Sequence, residues 1–137
     1  IKANFYYKVS FVSPEVIDKI GITKAVRLAI FRAVNGISKK FDLADSYIML
    51  DGLLHAPKEY KQETIIKGDE KIPLISAASI MAKVLRDRKM ENLHKKMPAY
   101  GFNSNKGYGT KFHIEKIKEL GISVHHRKSY CRFFLDF

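Results

Sequence analysis

The sequence predicts an α/β layered fold, and three observations carry that prediction. Short apolar, β-branched and aromatic runs alternate with longer stretches of helical periodicity. Two of the short runs are followed by a glycine and an acid, at Asp51-Gly52 and Gly68-Asp69, as expected where buried strands end at one edge of a sheet. With 46% hydrophobic residues in 137 and no low-complexity run, the chain has enough apolar mass to bury one core. A single domain spanning 1–137 is the expected organisation.

Each element follows from local signals. Residues 5–12, Phe-Tyr-Tyr-Lys-Val-Ser-Phe-Val, are aromatic and β-branched and read as a strand. Ser13-Pro14-Glu15 supplies an N-cap, a proline at the first helical position and an acid in the first turn, so a short helix runs to about Lys19 and stops before Gly21. Thr23 caps the next helix, in which Val26, Ala29, Ile30, Ala33 and Val34 recur at helical spacing until Asn35-Gly36 stops it. Residues 46–50 form a buried strand ending in Asp51. Residues 53–60 are irregular, broken by Pro57, and 62–66 form a further strand ahead of Lys67-Gly68-Asp69. A helix of about six turns is bracketed by Pro73 and Pro98 and runs from about Leu74 to Met97. Its apolar side carries Leu74, Ala78, Met81, Val84, Leu85 and Met90, and Ser76, Ser79, Lys83 and Asp87 share another stripe. Residues 98–109 read as a loop. Thr110 caps a last helix that closes at Gly121, followed by a basic segment at 125–128 and an aromatic end, Phe133–Phe137. The result is a parallel or mixed sheet of about three strands covered by helices. No repeat and no linker composition marks a domain boundary.

Charge and cysteine usage narrow the function classes. Lys and Arg total 25 against 14 Asp and Glu, a formal net charge of +11 that favours a polyanionic partner. No apolar run is long enough for a membrane span or a signal peptide. Cys131 is the only cysteine, which excludes an internal disulfide framework and a thiolate zinc site of two or more cysteines, and fits a reducing cytoplasm. The chain opens with Ile1 and has its first methionine at Met49, so it is expected to be processed or to be the C-terminal part of something longer.

The residues that could carry chemistry each admit two readings. Asp51 and Asp69 at strand ends are either hard oxygen ligands for magnesium or manganese or turn residues bonding their own backbone. Asn103–Thr110, with Lys106, Gly107 and Tyr108, is either a phosphate-holding loop whose aromatic ring lies on a sugar or base, or a plain connection with Tyr108 as a core lid. Ser76, Ser79 and Lys83 meet phosphates or form a solvent face. Asp87 between Arg86 and Arg88 is either a metal ligand or, as the spacing favours, one partner of a surface ion pair. His125 and His126 read as phosphate contacts or surface residues, and Cys131 as a small buried filler.

Taken in order, Leu50-Asp51-Gly52, Lys67-Gly68-Asp69, the run Ile75–Asp87 with Ser-Ala-Ala-Ser and Ala-Lys-Val, Tyr100-Gly101-Phe102, Lys106–Thr110 and His125–Tyr130 closely resemble ribonuclease HII. The resemblance covers essentially the whole chain, most tightly 50–130. It implies a ribonuclease-H-like α/β fold: a mixed sheet flanked by helices, with a C-terminal helical region. It implies metal-dependent hydrolysis of RNA in RNA/DNA hybrids and at single ribonucleotides in duplex DNA, giving 5′-phosphate and 3′-hydroxyl ends. Four carboxylates hold magnesium or manganese in that family; Asp51 matches the third and Asp69 the fourth, and Asp87 becomes structural. Tyr108 matches the tyrosine that reads the ribose–deoxyribose junction. Ser76, Ser79, Lys83, Lys106, Gly107 and Arg127 become substrate contacts, the side chains on the nucleic-acid backbone. Family members begin with an Asp-Glu pair and a Gly-Arg-Gly motif, which this sequence lacks in that arrangement. The expectation is therefore an N-terminally incomplete form of the fold, weak or inactive alone, and a monomer when complete. The alternative is a non-catalytic module that binds hybrid or duplex nucleic acid.

Overall fold

A computed structural model describes residues 6–134. The chain divides into two compact units: the residues up to Val12 with Ile20–Ala82, and Ser13–Lys19 with Lys83 onward. The elements comprise α1 (Pro14–Ile20), α2 (Ile22–Ser38), β1 (Tyr47–Asp51), β2 (Lys61–Ile65), α3 (Gly68–Lys71), α4 (Pro73–Lys96), α5 (Phe102–Asn105), α6 (Lys111–Leu120) and α7 (Lys128–Cys131), with a 3-10 turn at Pro98–Tyr100.

The first unit is built on β1 and β2, which pair in parallel in the register Tyr47↔Lys61 to Asp51↔Ile65. Parallel strands ordinarily need a helical crossover of a dozen residues or more; here the return is the irregular segment 52–60. Gln62 makes that segment possible. Its Oε1 accepts the Ala56 N–H at 2.8 Å and its Nε2 donates to the Pro57 carbonyl at 3.0 Å, so the amide of β2 pins the connection that delivers it. Val34 of α2, Leu50 of β1 and Ala56 are buried together, with Ile30, Leu43, Ile48, Leu54 and Tyr60 packed around them. The helical periodicity of α2 and the apolar run of β1 thus meet in one core, as their patterns require.

The second unit is helical. Tyr100, Phe102, Ile117 and Cys131 are buried and surrounded by Met90, Leu93, Met97 and Ile122. Thr110 caps α6, its hydroxyl accepting the His113 N–H at 3.3 Å, and Gly121 closes the helix at φ 81°. Cys131 fills the core as expected, and burial, with the Asp18 charge nearby, pushes its thiol pKa up. The start of α7 is capped from a distance: Asp18 of α1 accepts the backbone N–H groups of Lys128 at 2.7 Å and Ser129 at 3.1 Å, and the Ser129 hydroxyl.

Several expectations are corrected. Residues 6–12 belong to no strand; the described residues form one two-stranded parallel sheet, and β-propensity without a ladder partner makes no strand. Phe5 of that segment, and Leu135–Phe137 of the aromatic end, lie outside the described residues. Thr23 does not cap α2, whose N-cap is Gly21, and Asn35-Gly36 lies inside the helix. Gly36 serves close approach instead, because the Lys8 hydrocarbon chain passes within 2.8 Å of where a Cβ would stand. On α4 only Ile75 is buried, while Leu74 and Val84 of the expected apolar side are exposed. Residues 98–109 hold a 3-10 turn and α5 rather than a loop throughout. No helix among the described residues is long and apolar enough to cross a membrane.

Replacing Asp18 by Ala leaves the first N–H groups of α7 without their acceptor and should lower stability by about 1 kcal/mol, read as a drop in the urea midpoint with an unchanged slope.

Candidate functional site

β1 and β2 run in the same direction, so their carboxyl ends lie at one edge, where α/β sheets bind ligands. Asp51 is the last residue of β1. After β2 the chain turns through Lys67, held in the left-handed region at φ 55°, and enters α3 with Asp69 in its first turn. The turn aims the Gly68 N–H at Asp51, which accepts it through Oδ1 at 2.8 Å. A Cβ at position 68 would stand 2.8 Å from Ile75 Cδ1, which would have to shift, and 3.5 Å from Asp51 Oδ1, an ordinary contact. The structure therefore brings Asp51 and the Gly68-Asp69 step to one place, with Asp51 half-buried and Asp69 exposed. Asp51 accepts from an amide 17 positions away rather than from its own turn, through one of its two oxygens.

Carboxylate oxygens suit magnesium or manganese. Among the described residues no group of three or more His, Cys, Asp and Glu gathers. These two acids thus fit a hard divalent ion as part of a donor set rather than as a closed cage.

In the second unit, Lys106 and Gly107 both adopt positive φ, 49° and 78°. The turn is held from within: Gly107 N–H donates to Asn105 Oδ1 at 2.8 Å, and Tyr108 N–H to the Asn105 carbonyl at 2.8 Å. These amides are accordingly engaged inside the loop and do not form a phosphate cradle. The Tyr108 side chain is 64% exposed, so it is no core lid. The Arg86 guanidinium of α4 lies over its ring, 4.7 Å from the centroid, and Arg86 Nη2 donates to the Lys106 carbonyl at 2.9 Å. Sequence reading assigned Arg86 nothing beyond its neighbour Asp87, to which it is paired at 3.8 Å. No local spacing signals a contact across 20 positions. The Lys106 ammonium meets Glu91 Oε1 at 3.0 Å and holds that carboxyl below its usual range.

Ser76, half-buried, and Ser79, exposed, lie in the first unit; Lys83, exposed, and Arg127, half-buried, lie in the second. The Arg127 guanidinium stacks on Tyr130, 3.8 Å from its centroid. His126 is not a surface residue: it is 7% exposed, and its ring stacks on His113 at 5.3 Å. Its Nδ1 accepts the Ser123 N–H at 3.0 Å, which leaves the proton on Nε2, a buried atom without a partner. Burial, together with the neighbouring His113, pushes its pKa down to about 4. A cavity of about 610 Å³ in the first unit is lined by Arg27, Phe31, His55, Pro57, Lys58 and Gln62 among others, and by neither carboxylate.

Two acids thus stand at the carboxyl edge of a parallel strand pair in a strongly basic chain. The family model for ribonuclease HII matches residues 3–133. The chain is 44% identical to the ribonuclease HII of Pelagibacter ubique over 131 residues, 95% of this chain and 68% of that protein. It is 41% identical to that of Orientia tsutsugamushi over 130 residues, 95% of this chain and 61% of the relative. It is 48% identical to that of Bacillus cereus over 123 residues, 90% of this chain and 46% of the relative. The chain belongs to the ribonuclease HII family, and it spans between about half and two thirds of the length of these relatives.

The buried His126 makes folding sensitive to acid. Its folded pKa of about 4 lies below the ordinary value of 6.5, so between those values the unfolded chain takes up a proton that the folded chain refuses. Stability is therefore expected to fall by about 1–2 kcal/mol from pH 7 to pH 5. Urea titrations at both pH values check this, and His126→Gln should flatten the difference.

Proposed function

We propose that this chain supplies part of the metal-holding carboxylate set and the sugar-reading surface of a ribonuclease H. Its substrates would be RNA in RNA/DNA hybrids and single ribonucleotides in duplex DNA, cut to leave 5′-phosphate and 3′-hydroxyl ends. The observation that carries the reading is the Gly68 N–H to Asp51 bond, which joins the two acid-bearing strand ends in a chain of this family. On the same reading β1, β2 and α2 are part of a ribonuclease-H-like sheet and its covering layer, in one domain and one monomer.

Asp51 and Asp69 would hold magnesium or manganese. Bound there, the ion supplies a lowered water pKa and charge stabilisation of the leaving 3′-oxygen. Asp51 is fixed for this by its bond to Gly68, which leaves its other oxygen for a cation. Ser76, Ser79, Lys83, Lys106 and Arg127 would bind the phosphodiester backbone, and Gly107 lets the turn bring Tyr108 to the sugar. Tyr108, exposed and aromatic, would lie against a deoxyribose next to a ribose, where the 2′-hydroxyl alone separates RNA from DNA. Two carboxylates supply only part of the oxygen donors a magnesium or manganese ion takes, so the 137 residues alone are proposed to turn over slowly. The absence of a third metal-ligating side chain with these two among the described residues favours a second reading, a binder of hybrid or duplex nucleic acid without turnover.

The test is a duplex carrying one ribonucleotide, incubated with the chain in magnesium or manganese. Slow cutting at the ribonucleotide, reduced to background by Asp51→Asn, is the expected result, with weaker manganese binding by the variant in EPR titration. Rapid cutting would overturn the claim that the carboxylate pair is insufficient. Ribonucleotide-selective binding in calcium, with no cutting in either metal even when an Asp-Glu and Gly-Arg-Gly segment of a family member is supplied, would select the binder.

Backbone binding has its own signature. Lys83→Gln should weaken binding to hybrid and all-DNA duplexes alike and lower the slope of log K against log salt by about 1. A loss confined to one duplex would overturn the backbone role.

A further inference from the structure

We propose that Arg86 is a positioning residue for Tyr108, holding the ring in the orientation that reads the sugar; this rests on the reading of Tyr108 given above. The geometry consists of two contacts made by one guanidinium. Arg86 Nη2 donates to the Lys106 carbonyl at 2.9 Å, and its guanidinium carbon lies 4.7 Å from the Tyr108 centroid. Lys106 is one of two non-glycine residues at positive φ among those described, at 49°, a conformation that L side chains avoid and that persists where neighbours over-determine it. Its other anchors are its own N–H to the Phe102 carbonyl at 3.1 Å, and its ammonium to Glu91 of α4; the Lys106 carbonyl and the Tyr108 ring are what Arg86 adds. Arg86 comes from α4, a helix of 24 residues, and ties the strained turn and the ring to that rigid element.

The ring is 64% exposed. A guanidinium against one face leaves the other open to a sugar, and it removes the χ freedom that a solvent-exposed tyrosine otherwise keeps. Binding then loses less side-chain entropy, which is preorganisation in the ordinary sense. Lysine would not replace arginine here, because an ammonium cannot lie flat on the ring while donating sideways to a carbonyl. Charge alone is therefore separable from position.

Two measurements test this on the full chain. Binding of matched duplexes with and without one ribonucleotide, in calcium, gives a preference ratio. Arg86→Lys should lower that ratio about fivefold, the worth of one cation–π contact, and change all-DNA affinity less than about twofold. Tyr108→Ala should lower the ratio at least as far, and adding Arg86→Lys to it should lower it no further. Aromatic NMR resonances of Tyr108 supply the second measurement, with no nucleic acid present: Arg86→Lys should shift them. If Tyr108→Ala lowers the ratio and Arg86→Lys leaves it unchanged, the positioning role falls and the reading of Tyr108 stands. If Tyr108→Ala leaves the ratio unchanged, or the unmodified chain has no preference, the reading of Tyr108 falls with the specificity claim. Unshifted Tyr108 resonances in Arg86→Lys overturn the positioning role by themselves.

Discussion

The hydrogen bond from the Gly68 amide to the Asp51 carboxylate is the constraint on which the candidate site depends. A parallel pair aligns strand ends but does not bring the residues beyond them together; that takes a turn. Lys67 in the left-handed region provides it, and the Gly68 amide closes on the carboxylate to 2.8 Å. A neutral donor to a charged acceptor is worth more than an ordinary amide bond, typically about 1.5–3 kcal/mol, so the bond both orders Asp51 and fixes where α3 begins. Asp51 does not bond its own turn, as the sequence allowed; one of its oxygens is taken by a backbone amide 17 positions away.

A second constraint governs the helical unit. The Tyr100 carbonyl accepts both Asn105 Nδ2 at 2.7 Å and His113 Nδ1 at 3.0 Å, and His126 stacks on His113. A helical core would ordinarily be filled by aliphatic side chains. This one joins a small apolar cluster to two imidazoles whose ring nitrogens order the backbone around them, and the Asn105 side chain extends that order to Gly107. The turn that presents Tyr108 is thereby continuous with the most buried polar part of the unit. Buried polar groups of this kind specify one arrangement more than they stabilise it; an unpartnered Nε2 on His126 is what that specificity costs.

Much of this was legible in the sequence, for reasons that are local. Ser13-Pro14 and Thr110 start helices because caps act within three residues; Asp51 ends a strand because the apolar run stops there; α4 lies between two prolines. What was not legible is long-range. Residues 6–12 have the composition of a strand, and composition cannot say whether a neighbour exists to pair with. Asn35-Gly36 looks like a stop because glycine is usually conformational punctuation, whereas Gly36 is there to admit Lys8. His126 sits in a basic tract whose charge suggests solvent, yet its ring is drawn inward by Tyr100, Phe102 and His113, residues far from it in sequence. Arg86 was hidden for the same reason.

Charge distribution links these points to binding. A net charge of +11 supplies attraction to any polyanion, and long-range attraction carries no information about sugars. Near Tyr108 the cations are not simply displayed. Lys106 is paired with Glu91, and Arg86 is turned toward a carbonyl and a ring, with Asp87 beside it. Around the aromatic face, then, charge holds geometry before it meets any ligand, while Lys83 stands exposed and on the proposed reading meets the backbone. An interface that must distinguish one hydroxyl among many identical phosphates needs that separation, because each phosphate contact adds equally to the right and the wrong duplex. Discrimination survives only where the reading group is rigid and the attraction around it is restrained.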